Sequence, residues 1–414
     1  MNPAWISLAA LFTVILISSF SRTNVGVLAL GFAWLIGHYV SGMPVSRIAA
    51  GFPAGLFLLL LGVTVLFSSV KVNGTLDRLA AAAIGLVRGH RALVPFIFFL
   101  LAAVFSAIGP GNIGATALLA PLAMEIAGRM KISAFLTTVM VVAGANAGTF
   151  SPFASTGLIA GGLAAKSGIE MNPWSQIFFP NILAQGFIAF SSYMIFGGVR
   201  LWRPHPHDPA PAPAVSQANW TWTHWLSVGA IGALVLGVTY FKTDVGFLAL
   251  ILAALLSFMS PGEHRKTIAG VPWDAIVMVC GVSTLVSVLE ATGGMQLFTE
   301  LLAKISNASN VTGVIAFVAG ILSVFSSSSG VVLPAFIPTV PGLAALLPGA
   351  DSAAIISSIN VGSHVVDVSP LSTLGALCLA SAGAHEDKNK LFRNLMIYGL
   401  SLSLFGAGVC YLFF

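Results

Sequence analysis

Long apolar stretches recur along the whole chain, and short polar or glycine- and proline-rich segments separate them. They extend from 5–20 near the start to 395–413 at the end. Most are close to the roughly 20 residues that a helix needs to cross about 30 Å of hydrocarbon. Helices are the only open elements that span a membrane, because each satisfies its own backbone hydrogen bonds. The pattern therefore predicts an all-α polytopic membrane protein, and in the first half it places spans near 5–21, 24–42, 53–70 and 175–199.

The segment between the third and fourth of these spans has a different pattern. Two apolar helices, 92–107 and 115–128, are joined by the run Gly-Pro-Gly-Asn-Ile-Gly at 109–114. Glycine and proline at this density interrupt a helix, so we predict a re-entrant hairpin over 92–128. The apolar segment 134–165 follows and is interrupted between Gly144 and Pro152, which predicts a broken helix. The stretch 75–89 before the hairpin is amphipathic and is predicted to lie at the membrane interface.

The second half of the chain repeats the first. The run 23–30, Thr-Asn-Val-Gly-Val-Leu-Ala-Leu, recurs at 243–250 as Thr-Asp-Val-Gly-Phe-Leu-Ala-Leu. The register is kept further on, since Gly62 recurs as Gly281. Near the end of each half, a glycine followed seven residues later by Ser-Pro occurs at 144–152 and again at 362–370. Internal repeats of this kind are typical of transporters.

The repeats divide the chain into three parts. The first repeat is 1–199, a proline-rich linker occupies 200–221, and the second repeat is 222–414. A segment this rich in proline is expected to be an extended surface connection. The second repeat is predicted to contain a re-entrant hairpin at 312–349 and a broken helix at 351–381, so that each repeat has five crossings and one hairpin.

Composition and charge agree with a membrane protein and predict its orientation. Hydrophobic residues make up 57% of the chain and charged residues only 7%, far below the roughly 25% of a soluble protein. If both hairpins return to the side they left, only Arg47, Lys166, Lys242 and Lys304 of the 18 Lys and Arg residues lie on one side. The positive-inside rule makes the other side cytoplasmic, with both termini outside. An odd number of crossings per repeat inverts the second copy. We expect a multi-pass protein of the inner (cytoplasmic) membrane.

The four predicted breaks form the candidate transport site. Irregular backbone at membrane depth is tolerated where it is buried in protein or lines a wet cavity, and transporters bind substrates and ions there. Repeat symmetry should bring the tips 109–116 and 326–330 together with the breaks 144–156 and 362–373. The residues expected to meet are Gly111, Asn112, Thr116, Asn146, Thr149, Ser151, Ser155, Thr156, Ser328, Ser329, Gly330, His364, Asp367, Ser369, Ser372 and Thr373.

Asp367 is the most informative single residue among them. A carboxylate within a membrane segment costs on the order of 3 kcal/mol, so its presence indicates a function. His364 lies one helical turn before it, and the counterparts of these two residues in the first repeat are Asn146 and Thr149. This asymmetry indicates a cation or proton site in the second repeat. The alternative is a structural hydrogen bond between His364 and Asp367 at the helix break.

Lys and Arg are absent from every predicted span and break. Neutral donors would then have to hold an anion, and co-bound Na⁺ would offset its remaining charge, so an anion site implies cation coupling. The sequence has no phosphate-binding glycine loop with its lysine, no metal-ligand spacing and no nucleophile elbow. We expect a transporter without a catalytic site or cofactor, with Na⁺ or H⁺ as coupling ion and no nucleic acid partner.

With this two-repeat plan, the sequence resembles the ion transporter superfamily over nearly its whole length. The closest resemblance is to divalent anion-sodium symporters and their malonate and dicarboxylate carrier relatives of the MatC type. Each hairpin tip of the symporters carries Ser-Asn-Thr and, eight residues later, a proline. Here Gly-Asn-Ile at 111–113 runs to Pro121, and Ser-Ser-Gly at 328–330 runs to Pro338. Only Asn112 and Ser328 match the motif, which favours the MatC-type branch.

The resemblance implies roles for individual residues. Asn112, Ser328 and Ser329 would contact substrate carboxylates, and the breaks 146–151 and 364–369 would help to form cation sites. Na⁺ would lie near Asn112 and Asn146 and near Ser328 and Asp367. The resemblance also implies a homodimer in which a transport domain moves as an elevator against a scaffold.

The function that we expect is Na⁺-coupled transport of a small dicarboxylate, such as malonate or a four-carbon diacid. An H⁺-coupled organic anion carrier is an alternative. A second alternative is a cation/proton antiporter in which Asp367 and His364 exchange the ions and no organic substrate binds. A third is an anion channel, which inverted repeats with broken helices disfavour.

Overall fold

The computed structural model describes residues 2–20, 23–78, 91–202, 220–241, 243–259, 261–325, 327–383 and 386–414. Helices make up the regular structure of these residues, and no strand occurs among them. The all-α prediction is therefore confirmed for the described chain. Most of the amphipathic stretch 75–89 and most of the linker 200–221 lie outside the described residues.

The helices of the first half are separated at the positions where glycine, proline and polar residues cluster. They are α1 (Pro3–Phe20), α2 (Val25–Trp34, continued by a π-helical turn at Leu35–Val40), α3 (Val45–Ala50), α4 (Ala54–Val72), α5 (Val94–Ala107), α6 (Gly111–Arg129), α7 (Ala134–Thr149), α8 (Ser155–Lys166) and α9 (Phe179–Ile195, preceded by a π-helical turn at Pro173–Phe178).

The second half has a similar succession of helices. They are α10 (Trp222–Thr239), α11 (Val245–Met259), α12 (His264–Ala269), α13 (Trp273–Ala291), α14 (Gly294–Lys304), α15 (Val311–Phe325), α16 (Leu333–Phe336, preceded by a π-helical turn at Ser328–Val332), α17 (Val340–Leu346), α18 (Ser352–Val365), α19 (Thr373–Ser381) and α20 (Lys388–Phe413). A 3₁₀ turn, Ile337–Thr339, joins α16 to α17.

Four helical runs of the described chain are long and apolar enough to cross a membrane. They are Ala54–Val72, Pro173–Ile195, Ser328–Leu346 and Lys388–Phe413. The pair α13 and α14 would form a fifth candidate but bends by 88° at Gly293, whose φ of 78° a side chain would strain. Seven further apolar helices have 10–17 residues. Several apolar helices in one chain fit a polytopic membrane protein.

Both predicted breaks of the first half are shorter than expected. At the hairpin, only residues 108–110 are non-helical, because Gly109 (φ 146°) and Gly111 (φ 70°) complete the turn and α6 begins at once. The break after α7 begins at Phe150 rather than at Gly144. A Cβ atom on Gly144 would lie 2.2 Å from the carbonyl oxygen of Phe99, so this glycine lets α7 pack closely against α5.

Glycines also form two reciprocal close contacts between helices of the two halves. A Cβ atom on Gly281 of α13 would lie 2.1 Å from the carbonyl oxygen of Gly26 on α2. A Cβ atom on Gly62 of α4 would lie equally close to the carbonyl oxygen of Gly246 on α11. The sequence repeat relates Gly62 to Gly281 and Gly26 to Gly246. Helix α13 thus packs on α2 in the same way as α4 packs on α11, as a twofold relation between the halves would require.

A second group of helices surrounds the breaks. Helix α7 packs against α5, α6 and α9, and α18 packs against α15 and α9. Nearly every residue of α7 and of the second half of α18 is buried, including their polar residues. The ends of α7 and α18 therefore meet in the protein interior, and this arrangement positions the candidate site.

Candidate functional site

Asp367 lies in the break between α18 and α19 and is 3% exposed. Its Oδ1 accepts a hydrogen bond from the Ser328 hydroxyl at 2.6 Å, and its Oδ2 accepts one from Asn146 Nδ2 at 3.0 Å. Ser328 comes from the second hairpin tip and Asn146 comes from the broken helix of the first half. A buried carboxylate is tolerated only when it is hydrogen-bonded, so these two donors account for its position.

Asn146 connects the two halves of the site. Its Nδ2 also donates to the carbonyl oxygen of His364 at 2.7 Å, and its Oδ1 accepts from Asn112 Nδ2 at 2.7 Å. The side chain is fully buried at the end of α7. The predicted pairs, Asn112 with Asn146 and Ser328 with Asp367, are thus joined into one continuous hydrogen-bonded network.

Each hairpin tip donates a hydrogen bond to the broken helix of its own half. The backbone N–H of Asn112 donates to Thr149 Oγ1 at 3.3 Å, and Ser328 donates to Asp367. The register of the repeat relates Thr149 to Asp367. The two acceptors therefore occupy equivalent positions of the broken helices, with a neutral hydroxyl in the first half and a carboxylate in the second.

His364 and Ser329 close the network on the other side of the second tip. Ser329 Oγ lies 3.2 Å from His364 Nε2 and 3.2 Å from Thr156 Oγ1. The other ring nitrogen of His364 lies 3.0 Å from the Asn360 carbonyl oxygen, and the Phe150 ring packs edge-on against the imidazole at 4.6 Å. The structure gives the His364 ring partners other than the Asp367 carboxylate, so the direct His–Asp hydrogen bond considered from the sequence is not the arrangement found.

A cavity of about 290 Å³ reaches this network. Asn112, Ser155, Thr156, Ser329 and Gly330 line it, so both hairpin tips contribute to its wall. Its volume is close to the lower end of small-molecule sites, about 300 Å³. Asp367 lies one hydrogen-bonded layer behind this wall, because Asn146 connects it to Asn112.

One lining residue departs from the sequence expectation. Helix α4 extends to Val72, two residues beyond the predicted span, and its last turn places Lys71 on the cavity. Lys71 is the single charged side chain among the described lining residues. The cavity therefore has one positive charge on its wall that the sequence analysis did not place there, although the hydrogen-bonded network itself contains no Lys or Arg.

The hydroxyls of Ser151 and Ser372 have local partners instead, and the hydroxyl of Ser369 donates to the Val324 carbonyl oxygen of α15 at 3.4 Å. Ser151 Oγ accepts from the N–H of Phe153, and Ser369 Oγ accepts from the N–H of Leu371, both at 3.3 Å. In these turns the serine hydroxyl oxygen accepts a hydrogen bond from the backbone N–H two residues later in the chain. Ser372 caps α19 by accepting from Gly375 N–H, and it donates to the Asp367 carbonyl oxygen.

Thr373 and Thr116 are also separate from the network. Thr373 is exposed and lies away from the cavity, unlike its first-half counterpart Thr156. Thr116 is fully buried on α6, and its hydroxyl has no hydrogen-bond partner among the described residues. Gly111 contributes its turn geometry. The second Ser-Thr pair is therefore not part of the cavity in this conformation.

Several polar residues behind the network were missed from the sequence. Asn181 of α9 is fully buried and donates to the Asn146 carbonyl oxygen at 2.5 Å. The Asn360 side chain is also fully buried, and neither its oxygen nor its nitrogen has a partner among the described residues. An asparagine inside an apolar helix was the available signal, because its burial is costly without hydrogen bonds.

The atoms present could hold a monovalent cation. Hard cations prefer oxygen ligands, and the network supplies carboxylate, hydroxyl and amide oxygens around the two breaks. No group of three or more His, Cys, Asp or Glu residues that could hold a metal ion occurs in the described part of the chain. The arrangement thus resembles a site for an alkali cation or a proton more than a transition-metal site.

Comparison with known proteins found a family similar to the first part of the chain and a solved structure similar to its whole fold. Residues 1–149 match the family described as "Dicarboxylate carrier protein MatC N-terminus". The whole fold is similar to that of MtrF from Neisseria gonorrhoeae, a member of a class of antimetabolite efflux pumps, with a TM-score of 0.60 and 13% identity over 100% of this chain and 95% of MtrF. No curated protein sequence matches the chain significantly.

The match of residues 1–149 to a carrier family indicates a membrane transporter rather than an enzyme. The resemblance to MatC-type carriers that the sequence indicated is confirmed by the match over residues 1–149.

Proposed function

We propose that this protein is a secondary active transporter that carries a small dicarboxylate together with Na⁺. The observation that carries the proposal is the meeting of the two hairpin tips at one cavity, directly in front of the buried Asp367. The similarity of residues 1–149 to a dicarboxylate carrier supports the class of substrate. Asn112 and Thr156 on one side and Ser329 on the other provide donors for two separate carboxylate groups.

Coupling to a cation follows from the charge of the site. A dianion in the cavity would be repelled by the Asp367 carboxylate one layer behind the wall. A cation bound between them removes this repulsion, so the binding of each ligand favours the other. Asn146 donates both to the carboxylate and to the backbone of the second break, and Asn112 donates to Asn146. A change at the cation site would therefore reach the first hairpin tip through one hydrogen-bonded chain.

The elevator mechanism and the homodimer are part of the same proposal. The reciprocal glycine contacts join α2, α4, α11 and α13 into one packed unit, while the hairpins and broken helices pack mainly with one another. This grouping supports a scaffold and a transport domain that move as separate bodies. The homodimer in the inner (cytoplasmic) membrane, with both termini outside, is inferred from the resemblance and from the charge distribution.

The experiment is uptake of labelled malonate and succinate into proteoliposomes with an inward Na⁺ gradient, an inward H⁺ gradient or neither. Accumulation with the Na⁺ gradient alone is the expected result. Accumulation with the H⁺ gradient alone would replace Na⁺ by H⁺ as coupling ion, and downhill uptake with neither gradient would contradict coupling.

A cation/proton antiporter is the second candidate. The observation that favours it is the burial of both Asp367 and His364, each held by hydrogen bonds at the same break. A pH-sensitive dye inside the same proteoliposomes discriminates between the two functions. Proton flux that depends on Na⁺, without movement of either diacid, would establish the antiporter.

A further inference from the structure

Two cavities of the described structure occupy equivalent positions in the two halves. The first is the 290 Å³ cavity at the hairpin tips, and the second has a volume of about 580 Å³. The repeat register relates lining residues of α4 and the segment after it to lining residues of α13 and α14. The pairs are Thr64 with Ser283, Phe67 with Val286, Ser68 with Ser287, Lys71 with Glu290, and Leu76 with Met295. The same surface of the fold is therefore used twice, once on each half.

The charges of the two cavities are opposite. Lys71 is the charged residue of the first, and its counterpart in the second is Glu290, which is accompanied there by Glu300 and Lys166. The first cavity thus carries a charge of +1 and the second a net charge of −1. In the described part of the chain, neither Lys71 nor Glu290 forms an ion pair. Both side chains are exposed, so their charges face solvent.

The two cavities also differ in whether they reach the hydrogen-bonded network of Asp367. Asn112 and Ser329 line the first, whereas no member of the Asp367 network lines the second among the described residues. The charge distribution of the sequence places Lys71 on the predicted cytoplasmic side and Lys166 on the opposite side. A substrate would therefore reach the network from the Lys71 side in this conformation.

We propose that Lys71 attracts the dianionic substrate into the site from its own side of the membrane, and that its replacement by Glu290 at the equivalent position leaves the opposite side without this attraction. The inference rests on the proposed dicarboxylate transport and adds a residue that determines affinity on one side. Lys71 is exposed and lies at the end of its helix, so its ammonium group contacts water and the effect is electrostatic attraction rather than a fixed contact.

The expected magnitude follows from Coulomb's law in water. A dianion about 8 Å from a unit charge gains a factor of about five in binding, and reversal of the charge costs about 30-fold relative to the lysine. Salt should remove most of the effect, because the screening length falls to about 3 Å at 1 M. A structural role for Lys71 would show no such dependence on salt.

The test uses the variant Lys71→Cys, in which the charge can be set on the folded protein. The natural cysteines, Cys280, Cys378 and Cys410, are all buried, and the wild-type protein treated in parallel reports any reaction with them. Aminoethyl methanethiosulfonate places a positive charge at position 71, and sulfonatoethyl methanethiosulfonate places a negative one. The KM for malonate or succinate is measured at fixed Na⁺ in inside-out and right-side-out vesicles.

We expect the negative adduct to raise KM strongly on the side where residue 71 is labelled and the positive adduct to restore it, with little change in maximal rate. The difference should disappear when choline chloride raises the ionic strength. Lys166→Cys in the second cavity is the matched control, and its adducts should leave KM on the Lys71 side unchanged.

Equal KM values for the two adducts, or equal changes on both sides of the membrane, would overturn the inference. If Lys71→Cys does not reach the membrane, Lys71→Gln and Lys71→Arg replace it, and an equal KM in these two variants contradicts the role of charge. Wild-type protein that transports no dicarboxylate would refute the proposed function itself, whereas active wild type with unaltered variants refutes only the role of Lys71.

Discussion

Replacement of Asp367 by asparagine removes the charge of the site with little change of shape. The new side chain can turn its oxygen toward Asn146 Nδ2 and its amide toward Ser328 Oγ. Ser328 can then donate to Ser323, whose hydroxyl lies 2.5 Å away. Every partner of Asp367 thus keeps a hydrogen bond. We expect the free energy of unfolding to change by only about 1–2 kcal/mol, because charged hydrogen bonds become neutral ones.

The effect on the coupling cation should be much larger. A cation about 4 Å from a carboxylate gains roughly 2–4 kcal/mol at the effective dielectric constants of partly hydrated protein sites. This corresponds to about 30- to 1000-fold in the cation concentration that half-saturates transport. The substrate KM at saturating cation should change less, because the carboxylate lies behind the cavity wall rather than in it.

The assay measures initial uptake of labelled substrate against Na⁺ concentration in proteoliposomes, at the pH of maximal wild-type activity. Asp351→Asn is the matched control, since it removes a carboxylate from the same helix α18 at its exposed N-cap, where asparagine also caps well. Thermal unfolding in detergent verifies that both variants fold. Unchanged Na⁺ activation in folded Asp367→Asn would exclude this carboxylate from coupling and refute the reasoning.

Three further predictions concern the first tip, the Ser-Thr pairs and the scaffold. Asn112→Ala should raise the substrate KM about tenfold, because the cavity wall loses a hydrogen-bond donor and Asn146 loses a partner. An unaltered KM in uptake assays would mean that the tip has only a structural role. Thr156→Val should raise KM severalfold while Thr373→Val leaves it unchanged, and uptake kinetics that show equal effects would contradict the difference in their positions. Gly62→Ala should lower the free energy of unfolding by about 1–3 kcal/mol, whereas Gly55→Ala, which has open space at its Cβ atom, should not. Equal midpoints of thermal unfolding for the two variants would contradict the close packing of α4 on α11.

Much of the candidate site could be predicted because the repeat aligns its parts. The register predicted that Asn146 and Asp367 would come from equivalent breaks, and the structure brings them to 3.0 Å. The same symmetry misjudged Thr373, since it treated the two Ser-Thr pairs as equal. Two copies of one pattern predict equivalent backbone positions, but the side of a helix end that faces a cavity depends on how the halves pack.

Lys71 shows a second limit of sequence reasoning. The hydropathy pattern placed Lys71 just beyond a span. In the structure Lys71 lines the cavity, because α4 continues to Val72 and the first hairpin tip packs beside this helix. Likewise, Gly144 was predicted to interrupt a helix, whereas it allows close contact with α5. A glycine has the same local preference in a break and at a helix crossing, so tertiary contacts determine its role.

The sequence by itself determined the all-helical membrane class of this protein, because hydrophobic length and charge depletion depend on composition alone. It also indicated the four polar interruptions and Asp367 as the chemistry within them, because polar groups at membrane depth are costly wherever they occur. Only the tertiary structure decided which of these groups share hydrogen bonds and which face the cavity. The hydrogen bonds from Asn146 to His364 and Asp367 join residues that lie more than 200 positions apart in the chain, and helix packing alone sets their distance.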